Sequence, residues 1–364
     1  MTQTELLSIA QCFALEGKVT AVAPLGSGLI NDTFKVETDA GRRYVLQRIN
    51  NAVFPDVALL QSNIAAVTRH IRAKLEAAGE CDIDRKVLRF LPLRDSDATF
   101  LLRDGKYWRV SAFIEDSFTF DTVDALHSYQ AGDAFGRFEA MLADLPETLG
   151  ETIPDFHNME LRARQLRDAV AADRAGRMAL PEVKALVEDI FACEEEMCKA
   201  ERMHREGKLP KRVCHCDTKV SNMLFDADGS VLCVIDLDTV MPSFVFSDYG
   251  DFLRTAANTT VEDDPDLSKV GFNREIFEAF TKGYIGATRS FLTAVERENL
   301  PYAVTLFPYM QAVRFLTDYI NGDTYYKIKY PEHNLVRTRN QWKLFRCTRA
   351  AVPEMTAYLN SLPL

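Results

Sequence analysis

The run Cys214-His215-Cys216-Asp217-Thr218-Lys219-Val220-Ser221-Asn222 packs a carboxylate, an ammonium and an amide into one short stretch. A second carboxylate follows in Ile235-Asp236-Leu237-Asp238. The order is His-x-Asp, an Asn five residues past that Asp, then an Asp closing an apolar run. Such spacing serves phosphoryl transfer, where the protein supplies positioning and charge. Asp217 would take the proton of an acceptor hydroxyl. The amide oxygen of Asn222 and the carboxylate of Asp236 are hard donors of the kind magnesium takes beside phosphate oxygens. Between them, residues 223–225 and 231–235 read as a hairpin closed by Asp226-Ala227-Asp228-Gly229, with Asp236 following on its second strand. A hairpin fixes the separation of Asn222 and Asp236 and preorganises the loop. The cysteines of this run point to no other chemistry. Contiguous residues diverge in an extended loop, so Cys214, His215 and Cys216 neither match zinc-finger spacing nor form a Cys–His nucleophile.

A second feature lies near the N-terminus, in Pro24-Leu25-Gly26-Ser27-Gly28-Leu29-Ile30-Asn31-Asp32-Thr33. Gly26, Ser27 and Gly28 make a turn between strand-like runs, and amides freed of side chains can cover phosphates there. Asn31 and Thr33 lead out of it.

These residues need elements to hold them. Residues 19–24, 33–38 and 43–49 are short runs rich in Val, Phe, Tyr and Ile, separated by turn residues, and read as strands of a small sheet. Residues 56–78 have helical spacing, with Val57, Leu60, Ile64, Val67 and Ile71 on one stripe. Residues 87–91, 99–102 and 107–114 read as further strands. After Asp116 the character turns helical, over 122–145, 159–175, 181–207, 272–291, 293–320 and 335–359. The expected fold class is α+β, with two lobes. Residues 1–114 form a small antiparallel sheet with one helix, and residues 115–364 a larger, mainly helical lobe that carries the loop. A ligand is expected in the cleft between lobes, beside Phe113 and Ile114 at the join.

The chain has 364 residues, 47% of them apolar and 26% charged, a globular balance that excludes disordered and collagen-like classes. Its net charge of −10 speaks against a nucleic-acid partner, which calls for a basic face. No apolar stretch is long enough to span a membrane: residues 231–246 are interrupted by Asp236, Asp238 and Pro242. The N-terminus has no basic and apolar leader. A cytoplasmic protein with reduced cysteines is expected, as a monomer or weak homodimer.

The motifs resemble the aminoglycoside phosphotransferase and choline kinase superfamily. Gly28-x-x-Asn31-x-Thr33-Phe34-x-Val36 is similar to its glycine loop; His215-x-Asp217 with Asn222, then Ile235-Asp236, are similar to its catalytic and metal segments. Longer runs around residues 44–50, 214–222, 234–241, 247–254 and 314–326 resemble the N-acetylhexosamine 1-kinases. The resemblance implies a protein-kinase-like fold that uses ATP and Mg2+ to phosphorylate the anomeric hydroxyl of a small sugar. It implies Asp217 as base, Lys219 near the transferred phosphate, Asn222 and Asp236 as magnesium ligands, and Asp238 as their partner or a further ligand. Arg314 and Tyr325 fall at positions resembling that family's sugar contacts, and an i,i+4 pair with Asp318 is expected to hold the Arg314 guanidinium. Two departures stand out. Gln47 occupies the third-strand position where kinases carry Lys, with Arg48 beside it, and no Glu lies between Asp56 and Lys74 to pair with one. Leu29 stands where sugar 1-kinases are expected to carry His. Arg48 or the Gln47 amide is the expected substitute for phosphate contact. Rival acceptors are an aminoglycoside, choline or homoserine; a nucleotide-binding pseudokinase is the rival of another class.

Overall fold

The computed structural model describes residues 2–26, 30–120 and 122–363. In chain order the elements are α1 (Gln3–Ala10), β1 (Val19–Pro24), β2 (Asp32–Thr38), β3 (Arg43–Ile49), α2 (Val57–Ala77), α3 (Ile83–Lys86), β4 (Leu101–Arg103) and β5 (Lys106–Ala112). Then come α4 (Ala125–Leu142), α5 (Met159–Ala172), α6 (Pro181–Met197), α7 (Lys199–Arg205), β6 (Arg212–Cys214), β7 (Met223–Phe225), β8 (Val231–Val234) and β9 (Met241–Ser243). The chain ends in α8 (Phe246–Ala256), α9 (Arg274–Thr288), α10 (Ala294–Glu298), α11 (Leu300–Ile320), α12 (His333–Ala350) and α13 (Val352–Ser361).

Two compact units divide the chain. The first holds residues 1–119, 144–154 and 223–241, and the second holds 120–143, 155–222 and 242–364. In the first, five strands form an antiparallel sheet in the order β1-β2-β3-β5-β4. Helix α1, opened by a Thr2–Glu5 capping box, lays Leu6 and Ile9 on a core of Val22, Val36, Leu46, Trp108 and Val110. The expected stripe of α2 is buried from Val57 to Ile71. At about 1.5–3 kcal/mol for each large apolar side chain withdrawn from water, that face fixes the helix. The β7–β8 hairpin is present, closed through Gly229 at φ +82°.

The second unit is helical. Helices α4 and α9 touch backbone to backbone: a Cβ on Gly132 would lie 2.1 Å from the Phe280 carbonyl oxygen, and one on Gly283 2.1 Å from that of Tyr129. Only glycine permits this approach, and it brings the next turns of the two helices within side-chain reach. Helix α11 is buried on nearly every face.

Several elements differ from the sequence expectation. Residues 87–91 form no strand; Phe90 makes one isolated bridge, to Ser111, and the chain before it turns as α3. Three long helices are each split. The breaks fall at Cys198, Asn299 and Ala351, and in the latter two a proline restarts the helix in its first turn. Helices α1 and α8 were not expected. Asp236 lies beyond the end of β8, with φ +60°, rather than on the strand. All eight cysteines are free thiols, and among the described residues no helix is long and apolar enough to cross a membrane.

Candidate active site

In the second unit, β6 delivers the chain into a loop whose backbone is held from beneath. The backbone N–H groups of His215 and Cys216 donate to the two carboxylate oxygens of Asp248 on α8, each at 2.7 Å. Thr218 Oγ1 donates to the Asp248 carbonyl at 2.7 Å. Cys216 sits in the left-handed region, φ +63°, strain that its surroundings must over-determine. The His215 ring stands edge-on to Phe135 and Phe138 of α4, and its Nδ1 accepts the Asp217 N–H at 3.3 Å.

Above this base, three side chains meet. Lys219 Nζ lies 2.8 Å from Asp217 Oδ2. Asn222 Nδ2 donates to the same oxygen at 3.1 Å and to the Asp217 carbonyl at 2.8 Å. Burial alone would push the Asp217 carboxyl up, but the Lys219 ammonium and the Asn222 amide outweigh it and hold the group below the usual aspartate range. Asn222 spends its nitrogen here, so any cation it holds would be held through Oδ1.

In the first unit the corresponding anchor is Asp238. It is 2% exposed and ion-paired at 2.5 Å with Arg109 of β5, which is equally buried. Asn31 Nδ2 donates to its other oxygen at 2.7 Å, while Asn31 Oδ1 accepts from the Asn50 N–H at 3.0 Å. Gln47 and Arg109 face each other across β3 and β5, and Arg109 Nε donates to Gln47 Oε1 at 2.9 Å. Gln47 Nε2 in turn donates to Thr33 Oγ1 at 3.3 Å. So the strand that lacks the expected lysine borrows its cation from the strand beside it. Arg48 is half-exposed and pairs with Asp32. Asp236 lies two residues before Asp238, at the left-handed turn.

The other anticipated positions are more scattered. Ser27, Gly28 and Leu29 lie outside the described residues; Gly26 turns with φ +67°. Phe113 lies under the Arg43 guanidinium at 5.1 Å, and Ile114 is buried. The expected Arg314–Asp318 pair does not form. Asp318 instead accepts the backbone N–H groups of Thr324, Tyr325 and Tyr326 at 2.8–2.9 Å, and the Asn334 amide. Three fixed backbone donors leave that carboxylate no free face for the guanidinium. Arg314 bonds Gln311 Oε1 at 2.8 Å and lies over the rings of Phe156 and Tyr326. Tyr325 is 67% exposed.

Around Arg314 the second unit gathers donors. The buried Tyr326 Oη and Arg162 Nε have no hydrogen-bond partner among the described residues. Burial and the adjacent Arg314 press Arg162 down to about 10. Burial, then Arg314, Arg162 and Arg254, holds His157 well below the ordinary histidine value, so it stays neutral. Arg254 bonds Asp251 at 3.0 Å, and Asp251 feels the charges of Asp217 and Lys219.

A family model described as "Phosphotransferase enzyme family" matches residues 21–280. The chain belongs to that family. As a phosphotransferase it shares its fold with solved relatives. An aminoglycoside phosphotransferase from Alicyclobacillus acidocaldarius is 15% identical with a TM-score of 0.65, over 98% of this chain and 96% of that one. A choline/ethanolamine kinase family protein from Mesorhizobium loti is 16% identical with a TM-score of 0.58, over 99% and 98%. The amicoumacin kinase hAmiN, solved in complex with AMP-PNP, Ca2+ and Ami, is 11% identical with a TM-score of 0.60, over 95% and 94%. At these identities the likeness is one of fold: an α+β, kinase-like architecture.

Sequence reasoning missed Arg109 and Asp248. Each carried a signal: a charge inside an apolar strand or helix run, at Trp108-Arg109-Val110 and Phe246-Ser247-Asp248-Tyr249.

Proposed function

We propose that this phosphotransferase moves the γ-phosphate of ATP to the anomeric hydroxyl of an N-acetylhexosamine. The observation that carries the acceptor reading is the pair Arg162 and Arg314, which add to burial in lowering their neighbour His157, beside a Tyr326 hydroxyl with no partner among the described residues. Their charges repel a cationic aminoglycoside or choline and offer fixed donors to ring, hydroxyl and acetyl oxygens. Arg314 and Tyr325 with Tyr326 are assigned to that acceptor face.

Asp217 acts as base. In the resting arrangement Lys219 keeps it ionised; a γ-phosphate that draws Lys219 away leaves the carboxylate with less stabilisation and a stronger pull on the acceptor proton. The anomeric hydroxyl is the most acidic of a sugar, so one aimed carboxylate suffices. Each residue by its own chemistry suits magnesium: Asn222 offers an amide oxygen because its nitrogen is occupied, and Asp236 a carboxylate. Magnesium held by such oxygens would neutralise charge on the transferring phosphate oxygens. Residues 1–114 form the nucleotide-binding lobe in this reading, with Gly26, Ser27, Gly28, Asn31, Thr33, Phe113 and Ile114 toward ATP. Arg109, through Gln47 and Asp238, replaces the usual lysine as the buried cation of that lobe. The protein acts in the cytoplasm on small molecules.

The test is ADP release with magnesium-ATP over N-acetylglucosamine, N-acetylgalactosamine, glucose, choline, homoserine and an aminoglycoside. Turnover should be highest with an N-acetylhexosamine, and the product should be acid-labile, as an anomeric phosphate is. Preference for choline or an aminoglycoside would overturn the acceptor reading.

A further inference from the structure

Beneath the catalytic loop the second unit buries two carboxyl groups together. Glu139, on the apolar face of α4 with Phe135 and Phe138, is 2% exposed, and Asp248 is fully buried. A carboxyl oxygen of each, and the Cys214 sulfur, lie within 4.8 Å of one another. Two ionised carboxylates at that range in a dry core would repel strongly.

The surrounding groups show what removes one of the charges. Asp248 accepts two backbone N–H groups, one per oxygen, which suits an ionised acceptor. Glu139 Oε2 accepts the Tyr284 hydroxyl at 2.5 Å, while Oε1 is buried with no donor opposite it. Among the described residues, the groups that act most on Glu139 besides burial are Asp248, Tyr284 and Glu296, none of them a cation. From α9 there is Tyr284; from β6 and the loop come Cys214 and His215. Arg212 is committed to Glu296, at 2.9 and 3.0 Å, and His215 Nδ1 accepts rather than donates. A metal is poorly served, because the Cys214 thiol donates to the Phe244 carbonyl at 3.3 Å and burial pushes its ionisation well up.

We propose that Glu139 holds a proton and donates it to Asp248, and that this acid–carboxylate pair is the positioning base of the catalytic loop. Glu139 touches no substrate; it acts through Asp248 on the His215 and Cys216 backbone and so on the aim of Asp217. Burial first, then the Asp248 charge, raises the Glu139 carboxyl well above the ordinary value, in accord with the geometry.

The arrangement has a signature that does not depend on which acceptor is used. The folded protein holds this proton where the unfolded chain releases it. Its contribution is therefore full at acid pH and is lost as pH rises past the ordinary glutamate value toward the raised one. Glu139→Gln keeps a donor toward Asp248 and an acceptor for Tyr284, but has nothing to titrate.

The experiment follows thermal unfolding of wild type, Glu139→Gln and Glu139→Ala across pH, with infrared spectra at neutral pH, metal content and turnover. Wild type should show the carbonyl stretch of a buried carboxylic acid, absent from Glu139→Gln. The gap in Tm between Gln variant and wild type should move in the Gln variant's favour as pH rises. The Gln variant should keep turnover within about threefold, whereas Glu139→Ala should lose tenfold or more, or fail to fold. The proposal is overturned by a pH-independent gap, by an unchanged carbonyl band, by a tenfold loss of turnover in a folded Gln variant, or by a stoichiometric metal that the Gln variant loses.

Discussion

Asp238 in the first unit and Asp248 in the second solve the same problem with different counter-charges. Both are buried carboxylates in or beneath a loop that bears a side chain assigned above to the proposed chemistry, Asp236 in one case and Asp217 in the other. Asp238 meets the guanidinium of Arg109 and the amide of Asn31. Asp248 meets two backbone N–H groups and, by the inference above, the proton of Glu139. A guanidinium is a permanent cation in a protein, so the first tether has no shared proton to lose as pH rises but fails if either partner is truncated. A shared proton costs less to replace, since a neutral isostere reproduces it, but it leaves with rising pH.

The sharpest way to separate the two regions is to remove the reactive group from each. Asp217→Asn should cost about 10²–10⁴ in turnover or more, with ATP affinity and fold retained, because the base is gone while the tether stays. Asp236→Ala should act on the other half, abolishing magnesium-dependent ATP binding, since the one remaining amide ligand carries no charge to hold a hard dication. Turnover kinetics on the first and nucleotide titration on the second decide this. Turnover of Asp217→Asn within about tenfold of wild type, or unchanged affinity in Asp236→Ala at saturating magnesium, would break the division of labour.

The tethers themselves come next. Arg109→Met leaves Asp238 charged in the core and should destabilise by about 3–5 kcal/mol, measured by denaturant unfolding. Joining it to Asp238→Leu should recover most of that loss, because removing both charges also removes the desolvation cost. Glu139→Gln, by contrast, needs no second change. A Met substitution at Arg109 that costs under about 1 kcal/mol would mean that the guanidinium pair contributes no more than an exposed one.

How far these tethers could be read from sequence follows from their chemistry. The loop residues were legible because His215-x-Asp217 and Asn222 sit in one stretch, and periodicity found β1, β3 and the β7–β8 pair. The anchors were not legible, because each is a polar residue in an apolar element and its partner is distant in the chain. Glu139 and Tyr284 are 145 residues apart. Gln47 and Arg109 are 62 apart and meet only through strand register. Helix α8 escaped for the same reason: it buries Ser247, Asp248 and Asp251, and a hydrophobicity pattern counts those positions as solvent-facing. For Arg314 the expected partner was a local one, and the backbone of residues 324–326 claims Asp318 instead.

The smallest effect concerns the one reactive carboxylate whose ionisation is set from outside its tether. Lys219 supplies the two leading influences that bring Asp217 down against the upward push of burial. A base must be ionised to work, so kcat/KM falls as pH drops through the free enzyme's pKa, and in wild type that limb lies below the usual aspartate range. Lys219→Met removes both the charge and the hydrogen bond, while Asn222 still donates. Burial then dominates, Asp217 rises in the free enzyme, and the acid limb of kcat/KM, which reports that state, moves to higher pH. The same linkage holds for stability: a lowered carboxyl contributes above its unfolded value and loses that contribution as pH falls through the folded one, so the variant should also be less resistant to acid than wild type. The plateau turnover drops as well if Lys219 reaches the phosphate, but that loss is independent of pH and is read separately from the position of the limb. A pH–rate profile from about pH 4 to about pH 8, spanning the ordinary carboxyl range, checks this. A limb that stays in place would show that Asn222 and the His215 segment, held by Asp248, set the charge of Asp217 by themselves, and the two regions would then differ less than their counter-charges suggest.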